Sequence, residues 1–220
     1  NVIKFFKSFK KNKFIKIVYC PPSTLIQQMS TKFNNTHIEV GAQNCHESES
    51  YGAFTGSINS SMFKNVGAKY IIIGHSEIRR TGETDRLINL KIKVALKSGL
   101  KVILCIGETL KEKKKKITKK VLSKQIKLGL NEVKNKNNIM IAYEPVWAIG
   151  TGLIPKSNEL LDTIKFIKKK TNNCKVLYGG SVNPKNIREL KPLNNIDGYL
   201  IGGASQDSKK FIDIIKKSYS

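Results

Sequence analysis

Residues 141–152 read Ile-Ala-Tyr-Glu-Pro-Val-Trp-Ala-Ile-Gly-Thr-Gly. The apolar start of this stretch predicts a buried strand, which Pro145 ends because proline cannot donate a ladder hydrogen bond. The carboxylate of Glu144 is therefore delivered to the end of a strand, as a buried base would be. The loop that follows contains Gly150 and Gly152, whose backbone freedom suits a mobile lid over that carboxylate.

Short apolar, β-branched runs recur along the rest of the chain. Because they are continuously apolar rather than alternating, they predict strands buried on both faces of a parallel sheet. Seven such runs are found, at residues 14–20, 37–45, 69–75, 101–106, 138–144, 174–178 and 198–201. Helical patterns separate the runs without any linker or low-complexity boundary, so we expect a single domain of repeated βα units over residues 1–220.

Two of these helical patterns predict which helix face is buried. Apolar residues recur at helical spacing in both. The predicted buried faces are Leu87, Leu90 and Val94 in one helix, and Leu160, Ile164 and Ile167 in the other. Asp85 is the predicted N-cap of the first of these helices.

The distribution of polar residues separates a closed barrel from an open doubly wound sheet. An open sheet gathers its site at one switch point, whereas a barrel brings every carboxyl strand end to one rim. Polar or glycine residues follow strand after strand here, namely Asn44, His75, Glu108, Glu144, Ser181, Gly202 and Gly203. Neither a G-x-G-x-x-G nor a P-loop motif occurs. The predicted fold class is therefore α/β, a (β/α)8 barrel.

Composition narrows the function further. The net charge is +24, and since four of the 40 basic residues are arginine, 36 are lysine. The lysines are spread over most of the predicted helices without interleaved aromatic residues, which argues against a specific nucleic-acid partner. No apolar stretch approaches the ~18 residues of a membrane helix, and a cytoplasmic protein is expected. The four cysteines and three histidines lack metal-ligand spacing, so we predict reduced thiols and no metal site.

Two residue types at these strand ends can carry proton chemistry. His75 ends its strand in Gly-His-Ser-Glu, and Glu144 ends a strand two units later. An imidazole and a carboxylate on one rim can move protons and polarise a carbonyl. Glycine-rich turns at residues 179–181 and 202–205 offer bare backbone amides, which suit a phosphate group.

In these motifs the chain resembles the triosephosphate isomerase family almost throughout its length. The resemblance is carried by Tyr143 to Gly152 and by five further segments in the family's order. They are Ala42-Gln-Asn-Cys45, Gly52-Ala-Phe-Thr-Gly56, Gly74-His-Ser-Glu77, Tyr178-Gly-Gly-Ser-Val182 and Ile201-Gly-Gly-Ala-Ser205.

The resemblance implies a role for each candidate residue. Glu144 would be the base that moves a proton between adjacent carbons, His75 the neutral electrophile, and Glu77 a supporting residue. Phosphate would be held by amides of Gly150, Ser181, Gly202 and Gly203. The lid would comprise Pro145, Val146, Trp147, Ala148, Ile149, Gly150, Thr151 and Gly152, and Leu200 and Ile201 would line an apolar wall around the base.

The resemblance also implies partners and pathway. The substrate would be a triose phosphate, no cofactor is needed, and the reaction serves glycolysis, gluconeogenesis and pentose phosphate-linked carbohydrate metabolism. The segment Tyr51–Gly56 resembles the loop that reaches into a neighbouring subunit, with Thr55 near its tip, so a homodimer is implied.

The chain departs from the family pattern at its start. The family's first strand carries an Asn-x-Lys motif whose lysine and asparagine touch substrate, and no strand-like run with this motif precedes residues 14–20 here. Residues 2–11 read instead as the first helix. We therefore expect seven of the eight barrel strands here, the first one preceding Asn1. The alternative is a catalytically impaired relative that still binds triose phosphate or a partner.

Overall fold

The structure, a computed structural model, describes Phe5 and residues 15–219. Phe5 is helical, and the rest of the helix predicted over residues 2–11 lies outside the described residues. The described residues form seven strands. Their bounds are β1 Ile17–Tyr19, β2 Ile38–Ala42, β3 Tyr70–Ile73, β4 Lys101–Ile106, β5 Ile139–Tyr143, β6 Lys175–Tyr178 and β7 Gly198–Tyr199. Each falls within one of the seven predicted runs.

Helices alternate with the strands as the βα pattern predicts. From the strand β1 onward they are α1 Ile26–Phe33, α2 Ser60–Asn65, α3 Ser76–Arg80, α4 Asp85–Lys97, α5 Leu110–Lys114, α6 Thr118–Gly129, α7 Ser157–Thr171, α8 Ile187–Leu190 and α9 Ser208–Tyr219. Short 3-10 turns occupy Ser23–Leu25, Val146–Ala148 and Gly203–Gln206. Among the described residues, no helix combines the length and apolarity that crossing a membrane requires.

The chain forms two compact units. The amino-terminal unit contains residues 15–104 and 128–139, and the carboxy-terminal unit contains residues 105–127 and 140–219. In the first, parallel pairing runs in the order β1-β2-β3-β4; in the second, it runs β5-β6-β7. A single domain over residues 1–220 stays a prediction.

The strands owe their burial to their apolar composition. All four residues of β3 are buried, and five of the six in β4. In α7 the predicted face of Leu160, Ile164 and Ile167 is fully buried, which confirms the 3.6-residue periodicity. The four cysteines are free thiols, and three of them are buried.

The buried face predicted for α4 is wrong. Leu90 is 45% exposed, whereas Ile88, Ile92 and Ala95 are fully buried. Polar residues obscured the pattern, because Asn89 is also buried and donates two hydrogen bonds of 2.9 Å, to the carbonyl groups of residues 129 and 131. A buried amide that finds such partners occupies a core position that periodicity assigns to apolar side chains.

The N-cap predicted for α4 is also one residue off. Thr84 is the cap, and its side-chain oxygen accepts a hydrogen bond from the Leu87 N–H at 3.3 Å. Asp85 instead lies in the first turn and forms an ion pair of 2.6 Å with Arg79. A carboxylate in the first turn stabilises the helix through its dipole without being the cap.

A small charged cluster lies beside the strands of the amino-terminal unit. The Lys16 ammonium is 2.7 Å from the Glu39 carboxylate. The ammonium groups of Lys16 and Lys101 both lie over the Tyr70 ring, 5.5 and 5.3 Å from its centroid. Burial raises the pKa of Glu39, but the hydrogen bond and charge of Lys16 outweigh it, so the pKa is lowered overall. The ionised carboxylate is therefore favoured by folding.

We expect Glu39→Gln to lower the free energy of unfolding by about 1 kcal/mol at pH 7, since a partly buried ion pair is lost. Because the pKa of Glu39 is lowered in the folded chain, this difference is complete above the unfolded pKa of about 4.3. It should shrink as the pH falls through the folded value. Urea denaturation at pH 7 and pH 4 measures both.

The matched control is Glu49→Gln, which breaks the exposed ion pair with Lys97. It should change the free energy of unfolding by no more than a few tenths of a kcal/mol at either pH. An equal effect of both substitutions would contradict a special role for the Glu39 cluster.

Candidate active site

Glu144 follows β5 and is held by backbone contacts on both sides. Its N–H donates to the Ile106 carbonyl at 2.8 Å, and the Gly179 N–H donates to the Tyr143 carbonyl at 2.8 Å. A side chain at Gly107 would place its Cβ 1.8 Å from the Glu144 carbonyl oxygen. One at Gly179 would meet the Glu144 Cγ at 2.6 Å. Gly107 thus leaves room for the Glu144 backbone carbonyl, and Gly179 leaves room for the buried Glu144 side chain.

The predicted lid, residues 145–152, begins directly after this carboxylate. Pro145 is followed by a 3-10 turn, Val146–Ala148, because the Ala148 N–H bonds the Pro145 carbonyl at 2.7 Å. Gly150 and Gly152 then take left-handed backbone conformations, with φ of 70° and 79°. Side chains other than glycine rarely adopt these angles, so the glycines are what let the lid turn back.

The lid contacts the glycine turn after β6 through one hydroxyl group. The Ser181 Oγ donates to the Ala148 carbonyl at 2.6 Å and accepts from the Gly152 N–H at 3.0 Å. The Ser181 N–H also donates to the Ala148 carbonyl, at 3.2 Å. The lid is therefore docked on Ser181 in this structure.

The other candidate phosphate amides are open. Gly202 and Gly203 are exposed, with nothing within 4 Å of where a Cβ would stand, and the same holds for Gly150. Gly203 begins a 3-10 turn, and the N–H of a first-turn residue has no partner within its own turn. The Ser181 amide, in contrast, must give up its Ala148 contact before it can hold a ligand.

A buried carboxylate, Glu108, joins the lid to the end of β4. The Trp147 indole N–H donates to it at 2.8 Å, and the Tyr143 hydroxyl donates to it at 3.1 Å. Its own carbonyl accepts the Val146 N–H at 3.0 Å. Burial raises the pKa of the Glu108 carboxyl above its usual range, and the hydrogen bonds from Trp147 and Tyr143 offset part of that rise.

His75 belongs to the amino-terminal unit, where it caps α3. Its Nδ1 accepts a hydrogen bond from the Glu77 N–H at 3.3 Å. That bond requires an unprotonated Nδ1, which places the proton of the neutral ring on Nε2. The Glu77 carboxylate is 74% exposed and lies 3.7 Å from Nδ1. Glu77 thus supports the histidine through its backbone N–H.

The segment predicted to reach a neighbouring subunit is fully exposed in the single chain. Residues 51–56 are all exposed, Tyr51 by 66% and Phe54 by 44%. The Phe54 ring packs on His46 with 4.6 Å between centroids, so the loop also contacts a residue of its own chain outside residues 51–56. Thr55 lies at the loop tip, beside Gly56 with its φ of 81°.

Sequence reasoning placed Glu108 at a strand end but missed its partners. Tyr143 and Trp147 lie 35 and 39 residues further along the chain, too far for any local pattern to connect them. One sequence signal could have indicated these contacts. A carboxylate that follows an apolar strand needs hydrogen-bond donors when it is buried, and Tyr143 and Trp147 each carry one. Within the described residues, no group of three or more His, Cys, Asp or Glu side chains could hold a metal ion.

Comparison with known proteins gives consistent matches. The family described as Triosephosphate isomerase matches residues 1–218. The triosephosphate isomerase of Clostridium novyi is 44% identical over 212 residues, covering 90% of this chain and 84% of the relative. That of Endomicrobium trichonymphae is 39% identical over 215 residues, covering 93% and 86%. The crystal structure of triosephosphate isomerase from Bartonella henselae has a TM-score of 0.84 and 35% identity, covering 92% and 86%.

We expect Glu108→Leu to lower the free energy of unfolding by about 2–4 kcal/mol, because the Trp147 N–H and Tyr143 O–H lose their acceptor. Glu108→Gln keeps an acceptor and should cost about 1 kcal/mol or less at pH 7. Since the pKa of Glu108 is raised, the stability of the unmodified chain relative to the Gln variant should fall as pH rises through the folded value.

Urea denaturation followed by circular dichroism checks this between pH 4 and pH 8. The emission of Trp147, the single tryptophan of the chain, should also shift to the red in Glu108→Leu. Equal stability of the Leu and Gln variants would contradict the assigned hydrogen bonds.

Proposed function

The chain belongs to the triosephosphate isomerase family, and from this premise we propose that Glu144 is the base of its reaction. The protein is an isomerase that interconverts dihydroxyacetone phosphate and D-glyceraldehyde 3-phosphate, a reaction that serves both glycolysis and gluconeogenesis. The family resemblance and the α/β TIM-barrel fold class predicted from sequence are confirmed. One observation carries the role of Glu144, namely its burial at a strand end between Gly107 and Gly179.

In the proposed mechanism, Glu144 takes a proton from one carbon of the substrate and returns it to the neighbouring carbon. The intermediate between these steps is an enediolate, whose two oxygens carry the developing charge. A buried carboxylate suits this work, since it can lie against the substrate carbons in a site from which water is excluded. This family is itself the standard example of a glutamate base under a closing loop.

His75 has the proposed role of electrophile. Because Nδ1 accepts from the Glu77 N–H, Nε2 carries the proton and can donate it toward a carbonyl oxygen. The histidine also caps α3, and the unsatisfied N–H groups of a helix start disfavour a positive charge there. A neutral imidazole stays a weak acid, so it polarises the carbonyl without premature transfer of its proton.

We propose that the phosphate group of the substrate is held by the amides of Gly150, Ser181, Gly202 and Gly203. Three of these amides belong to glycines with open surroundings, which lets a phosphate approach the backbone closely. The Ser181 N–H joins them by leaving the Ala148 carbonyl, while the Ser181 hydroxyl still accepts from the Gly152 N–H, so phosphate can bind with the lid docked. A docked lid excludes water, which protects the enediolate from losing its phosphate.

We expect Glu144→Gln to lower kcat by at least about 1000-fold, since an amide cannot take the proton. Its Michaelis constant should change by less than about tenfold. An assay of the full chain coupled to a dehydrogenase measures both values. The matched control is Glu189→Gln, an exposed glutamate on α8, which should retain full activity.

If Glu144→Gln keeps the activity of the unmodified chain, another residue is the base. A chain that binds triose phosphate without turning it over would instead give no activity before substitution, which is the outcome expected of a catalytically impaired relative. Binding of glycerol 3-phosphate, which has the phosphate but no carbonyl, distinguishes that outcome from a misfolded protein.

We further propose a cytoplasmic homodimer in which residues 51–56 dock on the second subunit. Tyr51 and Phe54 are large apolar residues exposed on this loop, and burying them would favour association. A reducing compartment agrees with the four free thiols.

Sedimentation equilibrium should give about twice the 24.7 kDa of one chain. Phe54→Asp should shift it to the single-chain mass, because a charge replaces an apolar contact. Leu128→Asp, at an exposed leucine of α6, is the control and should leave the dimer intact. A single-chain mass for the unmodified protein would refute the proposal.

A further inference from the structure

One lysine of α5 contacts both the start of the proposed lid and the helix that follows the lid. The Lys113 ammonium lies 3.7 Å from the centroid of the Trp147 ring. The same ammonium is 3.2 Å from the carboxylate of Glu159. Trp147 lies near the start of the proposed lid, and Glu159 lies in the first turn of α7, the helix that follows the lid after residues 153–156. A cation that holds both partners therefore connects the start of the lid to this helix.

Lys113 is itself well anchored. Its helix, α5, begins at Thr109 with a capping box, in which Thr109 and Glu112 satisfy each other's backbone N–H groups. Glu108 comes immediately before this cap and holds the Trp147 indole N–H at 2.8 Å. Trp147 is therefore contacted from two directions, by the Glu108 carboxylate at the edge of its ring and by the Lys113 ammonium at the face of its ring.

Lys113 is less exposed to solvent than the neighbouring lysine on the same helix. Its side chain is 33% exposed. Lys114, in contrast, is exposed and contacts neither Trp147 nor Glu159. A cation over an indole ring is stabilised by the negative face of the ring, and more so where water is partly excluded. The exposed lysines of α5 lack this setting.

We propose that Lys113 is a positioning residue that stabilises the docked lid by holding Trp147 and Glu159 together. The docked state is the one in which the Gly152 N–H reaches the Ser181 hydroxyl. This inference rests on the proposed function, in which the docked lid encloses the triose phosphate. Loss of the cation should therefore weaken substrate retention by about three- to tenfold, the range of a partly shielded cation–π contact.

The test uses the full chain and Trp147 as its single tryptophan reporter. Lys113→Met removes the charge and keeps the apolar stem, Lys113→Arg keeps a cation, and Lys114→Met is the matched control. Acrylamide quenching of Trp147, with and without glycerol 3-phosphate, reports lid docking independently of turnover. Thermal unfolding checks that each variant is folded, and Lys113→Gln replaces the Met variant if that one is not.

We expect Lys113→Met to raise the quenching constant of Trp147 and to raise the Michaelis constant about three- to tenfold, with kcat changed less. Lys113→Arg should restore both, and Lys114→Met should match the unmodified chain. The proposal is overturned if Lys113→Met and Lys114→Met behave alike, or if the arginine variant fails to rescue.

The bridge to α7 is tested by a double-mutant cycle with Glu159→Gln. In the unmodified chain this substitution should raise the Michaelis constant at least about twofold, and in Lys113→Met it should have no further effect. An equal effect in both backgrounds would refute the bridge. Failure of the proposed base would appear separately, as retained turnover in Glu144→Gln, and would leave the quenching results unchanged.

Discussion

Glu144 can occupy its position only because two neighbouring backbone segments carry no side chain where it lies. Gly107 clears the space beside its carbonyl, and Gly179 clears the space beside its Cγ. Both glycines follow strands that pair in parallel, so the spacing of the sheet brings three chain segments to one point. The direction of the carboxylate, and with it the start of the lid, follows from this close packing of backbone.

The proposed lid is bound to the rest of the carboxy-terminal unit by polar groups that each form two hydrogen bonds. Ser181 donates to Ala148 and accepts from Gly152, while Glu108 accepts from both Tyr143 and Trp147. Breaking one contact of such a group is costly, because it leaves another polar group without its hydrogen-bond partner. Lid movement is therefore expected to exchange these contacts together, between a docked and a released arrangement.

The sequence predicted the strands, the family and the class of fold because these depend on local composition and on residues adjacent in the chain. The face of α4 could not be predicted in the same way. Asn89 reaches the core through hydrogen-bond partners about 40 residues away. Burial of polar residues depends on such distant partners, and so do the contacts of Trp147 with Glu108 and Lys113.

The two glycines beside Glu144 also limit how the chain can diverge in evolution. Lysine, the residue this chain uses most freely, can replace one exposed helical residue after another with little effect on folding. At positions 107 and 179 even a methyl group collides with the backbone or side chain of Glu144. Substitutions can therefore accumulate across the helical surface while these two positions, which contribute no functional group, stay closed to change.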